Sequence, residues 1–259
     1  MAYQIIFSDI DGTLFDHQHN EIPPSAINAL RSAHHKGIQI VLSSGRSLPL
    51  IDELGVLLQV PYDGLITCNG ALVFDAHRNV IFEEPIPQQD IDALVSLCQR
   101  ESICLNLVEK DSFYLTEEPN QAVLDSCHAL HITPPPTRSY QGAPIYQAII
   151  FIDQDQQDRL SEALSAFHLI RFHPQTCDIS APHMNKAFGI QHFLDYVGLS
   201  KDDAIAFGDG GNDIEMLKHV GLGIAMGNAS DSVKLHAKHI TNRVDDHGIE
   251  QALLYFEII

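Results

Sequence analysis

Positive charge is scarce in this chain: 15 Lys and Arg stand against 34 Asp and Glu, a formal net charge of -19 with a sequence pI of about 5.0. Most of such a surface repels a nucleic-acid backbone, so nucleic acid is excluded as a partner class. Any small anionic ligand would need a local patch of Lys, Arg and backbone N–H groups to overcome that field. Paired cysteines are missing too. Cys68, Cys98, Cys104, Cys127 and Cys177 are odd in number and scattered, without the C-x-x-C of a metal knuckle or a redox dithiol, and a reduced cytoplasm fits that usage. No apolar run reaches the ~18 residues of a membrane span. Met1-Ala2-Tyr3-Gln4 leads into Ile5-Ile6-Phe7 without the basic start and long apolar core of a signal peptide. The expectation is a cytoplasmic protein, neither exported nor embedded, with no membrane contact and no obligate protein partner. The 15 histidines occur singly or as His34-His35, with no His-Glu-x-x-His, and read as surface or loop residues. Internal repeats and low-complexity segments are absent.

What is present is ample apolar content: 45% hydrophobic over 259 residues, enough for one large domain or two modest ones. A short buried strand is expected over Tyr3 to Ser8. A helix opens at Pro23-Pro24-Ser25 and is stopped by Lys36-Gly37, a basic last turn followed by glycine. A strand over Ile38 to Leu42, a helix over Leu48 to Leu58 and a strand over Gly64 to Cys68 continue an alternation that points to a parallel sheet covered on both faces. After Asn69-Gly70, Ala71 to Phe74 and Val80 to Glu83 read as a hairpin, ended by Pro85-Ile86-Pro87. The middle region reads as an open-faced α+β unit: helices over Gln89 to Arg100, near Gln121 to Ala129 and over Gln156 to Phe167, and strands at Cys104 to Val108, Phe113 to Thr116, Ile145 to Asp153, Leu169 to Phe172 and Cys177 to Ser180. The alternation then resumes with helix Lys186 to Val197, strand Ala204 to Phe207, helix Ile214 to His219, strand Leu222 to Ala225 and helix Gly248 to Phe256. The expected organisation is a core built from residues 1-83 and 185-259, with a second domain, 84-184, inserted in it.

Ligand crevices in open parallel sheets lie at the carboxyl ends of the strands, and three such ends carry small polar or acidic residues. The first is Asp9-Ile10-Asp11-Gly12-Thr13. Two carboxylates at this spacing can divide labour, one attacking as a nucleophile and the other shuttling a proton. An EF-hand opening at Asp9 would want glycine at position 14 and glutamate at position 20, where Leu14 and Asn20 stand. The second is Ser44-Gly45-Arg46, readable either as an anion site ahead of a helix or as an ordinary turn with Ser capping the helix. The third is Gly208-Asp209-Gly210-Gly211-Asn212-Asp213, whose hard oxygen ligands suit Mg²⁺. Its glycine spacing does not match a dinucleotide loop. Lys186 opens the helix where the chain re-enters the core. Alone it is a surface lysine, but beside the acids it supplies the positive charge that a carboxylate attacking a phosphate dianion requires.

Taken in order, these four segments resemble the four motifs of the haloacid dehalogenase superfamily. Asn69-Gly70-Ala71, the long insertion before Lys186, and Gly223-Ile224-Ala225-Met226-Gly227-Asn228-Ala229 are similar to its Cof-type sugar-phosphatase subfamily. The resemblance implies an α/β fold: a Rossmann-like parallel-sheet core with an inserted α+β cap of the C2B type. It implies that Asp9 is the nucleophile that becomes aspartyl-phosphate and Asp11 the general acid and base. Ser44 and Lys186 would hold the phosphoryl oxygens, with Gly45 in the same loop. Mg²⁺ would be held by the carboxylates of Asp9 and Asp209 and the backbone carbonyl of Asp11, with Asn212 on the phosphate and Asp213 supporting the metal shell. Arg46, Asn69 and the segment Asp178 to Asn185 either face substrate or are loop and linker structure. Ala187 stands where these phosphatases often have glycine, and Phe15 where an aliphatic residue is common. Asp11 speaks against the dehalogenase branch, which lacks an acid there.

The activity so implied is Mg²⁺-dependent hydrolysis of a small phosphorylated metabolite, such as a sugar phosphate, through an aspartyl-phosphate. Specificity would lie in the cap, which would close over the site. Two alternatives remain at this stage. A phosphomutase or phosphotransferase would pass the phosphoryl group to a sugar, and a non-catalytic phosphometabolite sensor would need neither nucleophile nor proton shuttle.

Overall fold

The computed structural model describes residues 3–129 and 132–259. Met1 and Ala2, part of the start read above, lie outside them. The chain divides into two compact units, Met1–Glu83 with Asn185–Ile259, and Glu84–Met184.

In chain order, the first unit begins with β1 (Ile5–Ser8), α1 (Pro24–His35), β2 (Gln39–Ser43), α2 (Leu48–Glu53), β3 (Gly64–Thr67), β4 (Leu72–Asp75) and β5 (Val80–Glu83). The second unit holds α3 (Gln88–Glu101), β6 (Leu105–Val108), β7 (Phe113–Leu115), α4 (Gln121–Ala129), β8 (Gln147–Ile150), α5 (Gln154–Arg159), β9 (His168–His173) and β10 (Thr176–Ser180). The first unit then resumes with α6 (Lys186–Val197), β11 (Ala204–Gly208), α7 (Ile214–His219), β12 (Leu222–Ala225), α8 (Asp231–Lys234), β13 (His239–Ile240) and α9 (Gly248–Tyr255).

The first unit is an eight-stranded sheet in the order β13-β12-β11-β1-β2-β3-β4-β5. β1 pairs in parallel with β2 on one side and β11 on the other, so strand order reverses at β1, where a crevice opens at the strand ends. Ile5, Ile6 and Phe7 are fully buried, as a central strand covered on both faces requires. One face packs Ile5, Phe7, Val41 and Ile66 against Ile190, Phe193 and Leu194 of α6 and Met216 and Leu217 of α7. On the other side α1 packs against β2 and α9. The hairpin β4-β5 extends the sheet antiparallel beyond β3, so the sheet is parallel only through its first six positions.

Four elements differ from the sequence reading. The helix expected over Leu48 to Leu58 stops at Glu53, because Gly55 takes φ +64° and the chain resumes as a 3-10 turn, Val56–Leu58. The helix expected over Gln156 to Phe167 starts earlier, capped by Asp153, and ends at Arg159. Asp231–Lys234 and His239–Ile240, for which the sequence reading has no element, are a short helix and an edge strand.

The second unit is a five-stranded antiparallel sheet, β7-β6-β8-β10-β9. Ile91, Leu94, Leu97 and Cys98 of α3 pack on Leu105, Leu107, Tyr114, Ala148, Ile150, Cys177 and Ile179. Val123 and Cys127 of α4 pack with Cys104, Leu115 and Phe151, so part of the second sheet face is covered as well. At the two ends of the unit, His183 Nε2 lies 2.7 Å from Glu84 Oε1. All five cysteines are buried. Burial pushes the Cys98 thiol up to about 12, which removes it from thiolate chemistry.

Candidate active site

The parallel register aligns the ends of β1, β2, β3 and β11, so the residues that follow them lie side by side. Asp9 follows β1, Ser44 follows β2, Cys68 follows β3 and Asp209 follows β11. Lys186 enters from α6, whose N-cap Asn185 accepts a hydrogen bond from the Phe188 N–H at 3.0 Å. Its ammonium is fully buried and donates to Asp9 Oδ1 at 2.5 Å and Asp213 Oδ1 at 2.6 Å. Burial would release the Lys186 proton, but Asp213 and Asp9 overcome it and hold the side chain above the usual lysine range.

The acids feel the opposite imbalance. Burial, then Asp213, push the Asp9 carboxyl well above the carboxylate range, and the nearby Lys186 does not compensate. Burial and Asp213 likewise raise Asp209 to about 6. One lysine against three acids leaves uncompensated negative charge. Ligand oxygens of Asp9, Asp209 and Asp213 lie within 4.8 Å of one another, a spacing that fits a divalent cation. The three are not equivalent. Asp213 spends Oδ1 on Lys186 and Oδ2 on the N–H groups of Asp209 and Gly210, at 2.9 and 2.8 Å. It is therefore a brace for the loop. Asp209 accepts from Thr13 Oγ1 at 2.9 Å and Asn228 Nδ2 at 3.1 Å. Asp9 has Lys186 on Oδ1 and no other side-chain hydrogen bond among the described residues.

Asp11 stands apart from this cluster. Burial alone would raise its pKa, but hydrogen bonds from His17 and Arg46 hold it well below the carboxylate range. Arg46 grips it as a fork, Nε to Oδ2 and the terminal nitrogen to Oδ1, both at 2.8 Å, while His17 Nε2 lies 2.7 Å from Oδ1. The Arg46 N–H donates to Ser44 Oγ at 3.0 Å, and Ser44 is fully buried. Asn212 Nδ2 donates to Asn69 Oδ1 at 3.0 Å. A Cβ on Gly45 would stand 3.1 Å from the Asn69 amide, a tight approach that glycine relieves.

Every motif residue read from the sequence thus lies in the first unit, tied to its neighbours through these contacts, whereas Asp178 to Met184 belong to the second unit. Three partners were not singled out. Thr13 and Asn228 lay inside quoted segments, but nothing in their spacing assigns them to Asp209. His17 had no signal at all: its ring rests edge-on against buried Phe15, centroids 5.2 Å apart, which is also where the unusual aromatic at position 15 finds a use.

Acids and a buried cation gathered where strand order reverses in an open, mostly parallel sheet describe an enzyme acting on a small molecule. Residues 6–253 match the family model of haloacid dehalogenase-like hydrolases. The chain is 32% identical to the putative phosphatase YkrA of Bacillus subtilis, over 98% of this chain and 97% of that one. Among solved structures, the haloacid dehalogenase phosphatase BT1666 of Bacteroides thetaiotaomicron superposes with a TM-score of 0.90 at 30% identity, covering 100% and 96% of the two chains. The subclass IIB sugar phosphatase BT4131 does so with a TM-score of 0.87 at 32% identity, covering 99% and 100%. The chain therefore belongs to the haloacid dehalogenase-like hydrolases, as a hydrolase of their phosphatase type. Enzymes of this type act on small phosphorylated compounds and generally use a metal ion.

Proposed function

We propose that the chain is a Mg²⁺-dependent phosphatase of small phosphorylated metabolites, sugar phosphates among them, working through an aspartyl-phosphate at Asp9. The observation that carries this reading is the buried Lys186 bridging Asp9 and Asp213 beside Asp209, a cluster with acid to spare and a nucleophile already ion-paired. Asp9, Asp209 and the Asp11 carbonyl would hold Mg²⁺. When bound, the ion supplies positive charge at the phosphoryl oxygens and at the attacking carboxylate.

In the first step a carboxylate oxygen of Asp9 attacks phosphorus, the bond to the leaving oxygen breaks, and Asp11 gives that oxygen its proton. In the second, water attacks phosphorus and gives a proton to Asp11, and the bond to Asp9 breaks to release inorganic phosphate. Lys186, the Ser44 hydroxyl and the Asn212 amide hold the phosphoryl oxygens, while Asp213 keeps the loop and the lysine in place. Arg46 and His17 favour the ionised form of Asp11, the form that takes a proton from water in the second step; the first step uses the proton that this transfer leaves on Asp11, held against that bias.

The test is phosphate release from a panel of sugar phosphates, pyridoxal phosphate, nucleotides and an aryl phosphate, with and without Mg²⁺, for wild type and Asp9→Asn. Turnover that needs Mg²⁺ and disappears in Asp9→Asn is expected. Full activity in Asp9→Asn, with deamidation excluded, would end the covalent mechanism.

A further inference from the structure

Cys68, Asn69 and Gly70 are three consecutive residues in the left-handed region, at φ +52°, +53° and +105°. Glycine adopts that region freely and asparagine tolerates it, whereas a run of such residues ending a buried strand is held only by its surroundings. All three are buried. Their hydrogen bonds run to the neighbouring loop: the Cys68 N–H donates to the Arg46 carbonyl at 3.0 Å, and the Asn69 N–H to the Ser44 carbonyl at 3.1 Å. The Asn69 side chain reaches the other way, to Asn212. One residue therefore ties the loop after β2 to the loop after β11, the two loops that carry the proposed phosphoryl contacts. The bond to Asn69 uses one of the two amide hydrogens of Asn212 and leaves the other for a phosphoryl oxygen.

We infer that Asn69 is a positioning residue that aims the Asn212 amide and fixes its place relative to Ser44, so that the two contacts act as one rigid phosphate cradle. This rests on the assignment of Asn212 and Ser44 to the phosphoryl group made above. The left-handed backbone is what turns the Asn69 side chain toward Asn212, and the two backbone bonds to the Ser44 loop keep it there.

A double-mutant cycle on the full chain with Mg²⁺ tests it. Asn69→Gly removes the amide and keeps a residue at ease with positive φ, and it is made in wild type and in Asn212→Ala. Removing one aiming hydrogen bond is expected to lower kcat/KM about tenfold in wild type. In the Asn212→Ala background it is expected to cost less than about twofold, because the group it aims is gone. Inhibition by inorganic phosphate should weaken in the same pattern, while the melting temperature of Asn69→Gly stays near that of wild type. Equal losses in both backgrounds, or no loss in either, would overturn the inference. The rise in melting temperature caused by inorganic phosphate reads the same cycle without turnover, so it decides the inference even where Asp9→Asn shows the catalytic reading to be wrong.

Discussion

At the scale of single residues, Lys186 is the least replaceable part of the site. Its position is unfavourable twice over, because a buried ammonium loses its hydration and a cation at a helix start opposes the helix dipole. The two carboxylates at 2.5 and 2.6 Å reverse that balance. Lys186→Met should therefore leave buried acids facing each other and destabilise the metal-free protein by about 3–5 kcal/mol. Its melting temperature should recover more on adding Mg²⁺ than that of wild type does. A variant that melts like wild type without metal would show that the acids are already neutral. Lys186 and the acids around it were legible in the sequence because Asp9 follows an apolar strand, Asp209 lies between two glycines, and Lys186 and Asp213 stand at helix starts, in a fixed order along the chain. Asn228 and Thr13 were not, because the contacts that recruit them to Asp209 close over 19 and 196 residues and leave no local pattern.

At the scale of elements, the site depends on how closely α6 lies on the end of β3. Gly189 of α6 faces Gly70, and a Cβ added at Gly189 would stand 2.9 Å from the Gly70 Cα and 2.7 Å from an Ile66 methyl. Gly189→Ala should push α6 outward, carry Lys186 with it, and lower kcat far more than the melting temperature. Loss of both in proportion would mean that the helix is simply unfolding. The main elements were readable because their apolar periodicity is strong and their ends carry Gly37, Asn185 and Gly198. The failures lie where local sequence continues a pattern that the backbone does not. The apolar residues Val56, Leu57 and Leu58 carry the pattern past Gly55, yet a left-handed glycine ends the helix there. β13, only two residues long, is a strand through pairing with β12 and has no period of its own.

At the scale of the whole molecule, the net charge of -19 concentrates attention on pH and metal. Asp209 is raised to about 6 in the metal-free fold, against an ordinary value near 3.8. A carboxyl raised in the folded state stabilises it below pH ~4, and that contribution is lost as pH rises through about 6. Asp9 acts in the same direction. Asp11, lowered, contributes above pH ~4 and is constant across this window. The stabilisation conferred by saturating Mg²⁺, measured as the melting temperature with the ion minus that with a chelator, should therefore grow from pH 5 to pH 7. A difference that is flat or shrinks would place the ion elsewhere. The inserted unit has a consequence of another kind. Its two ends are pinned to each other by Glu84 and His183, so a segment of about a hundred residues begins and ends within one ion pair. A segment closed on itself in this way behaves as a cassette: a residue added or lost inside it changes its own loops and leaves the separation of its two ends unchanged.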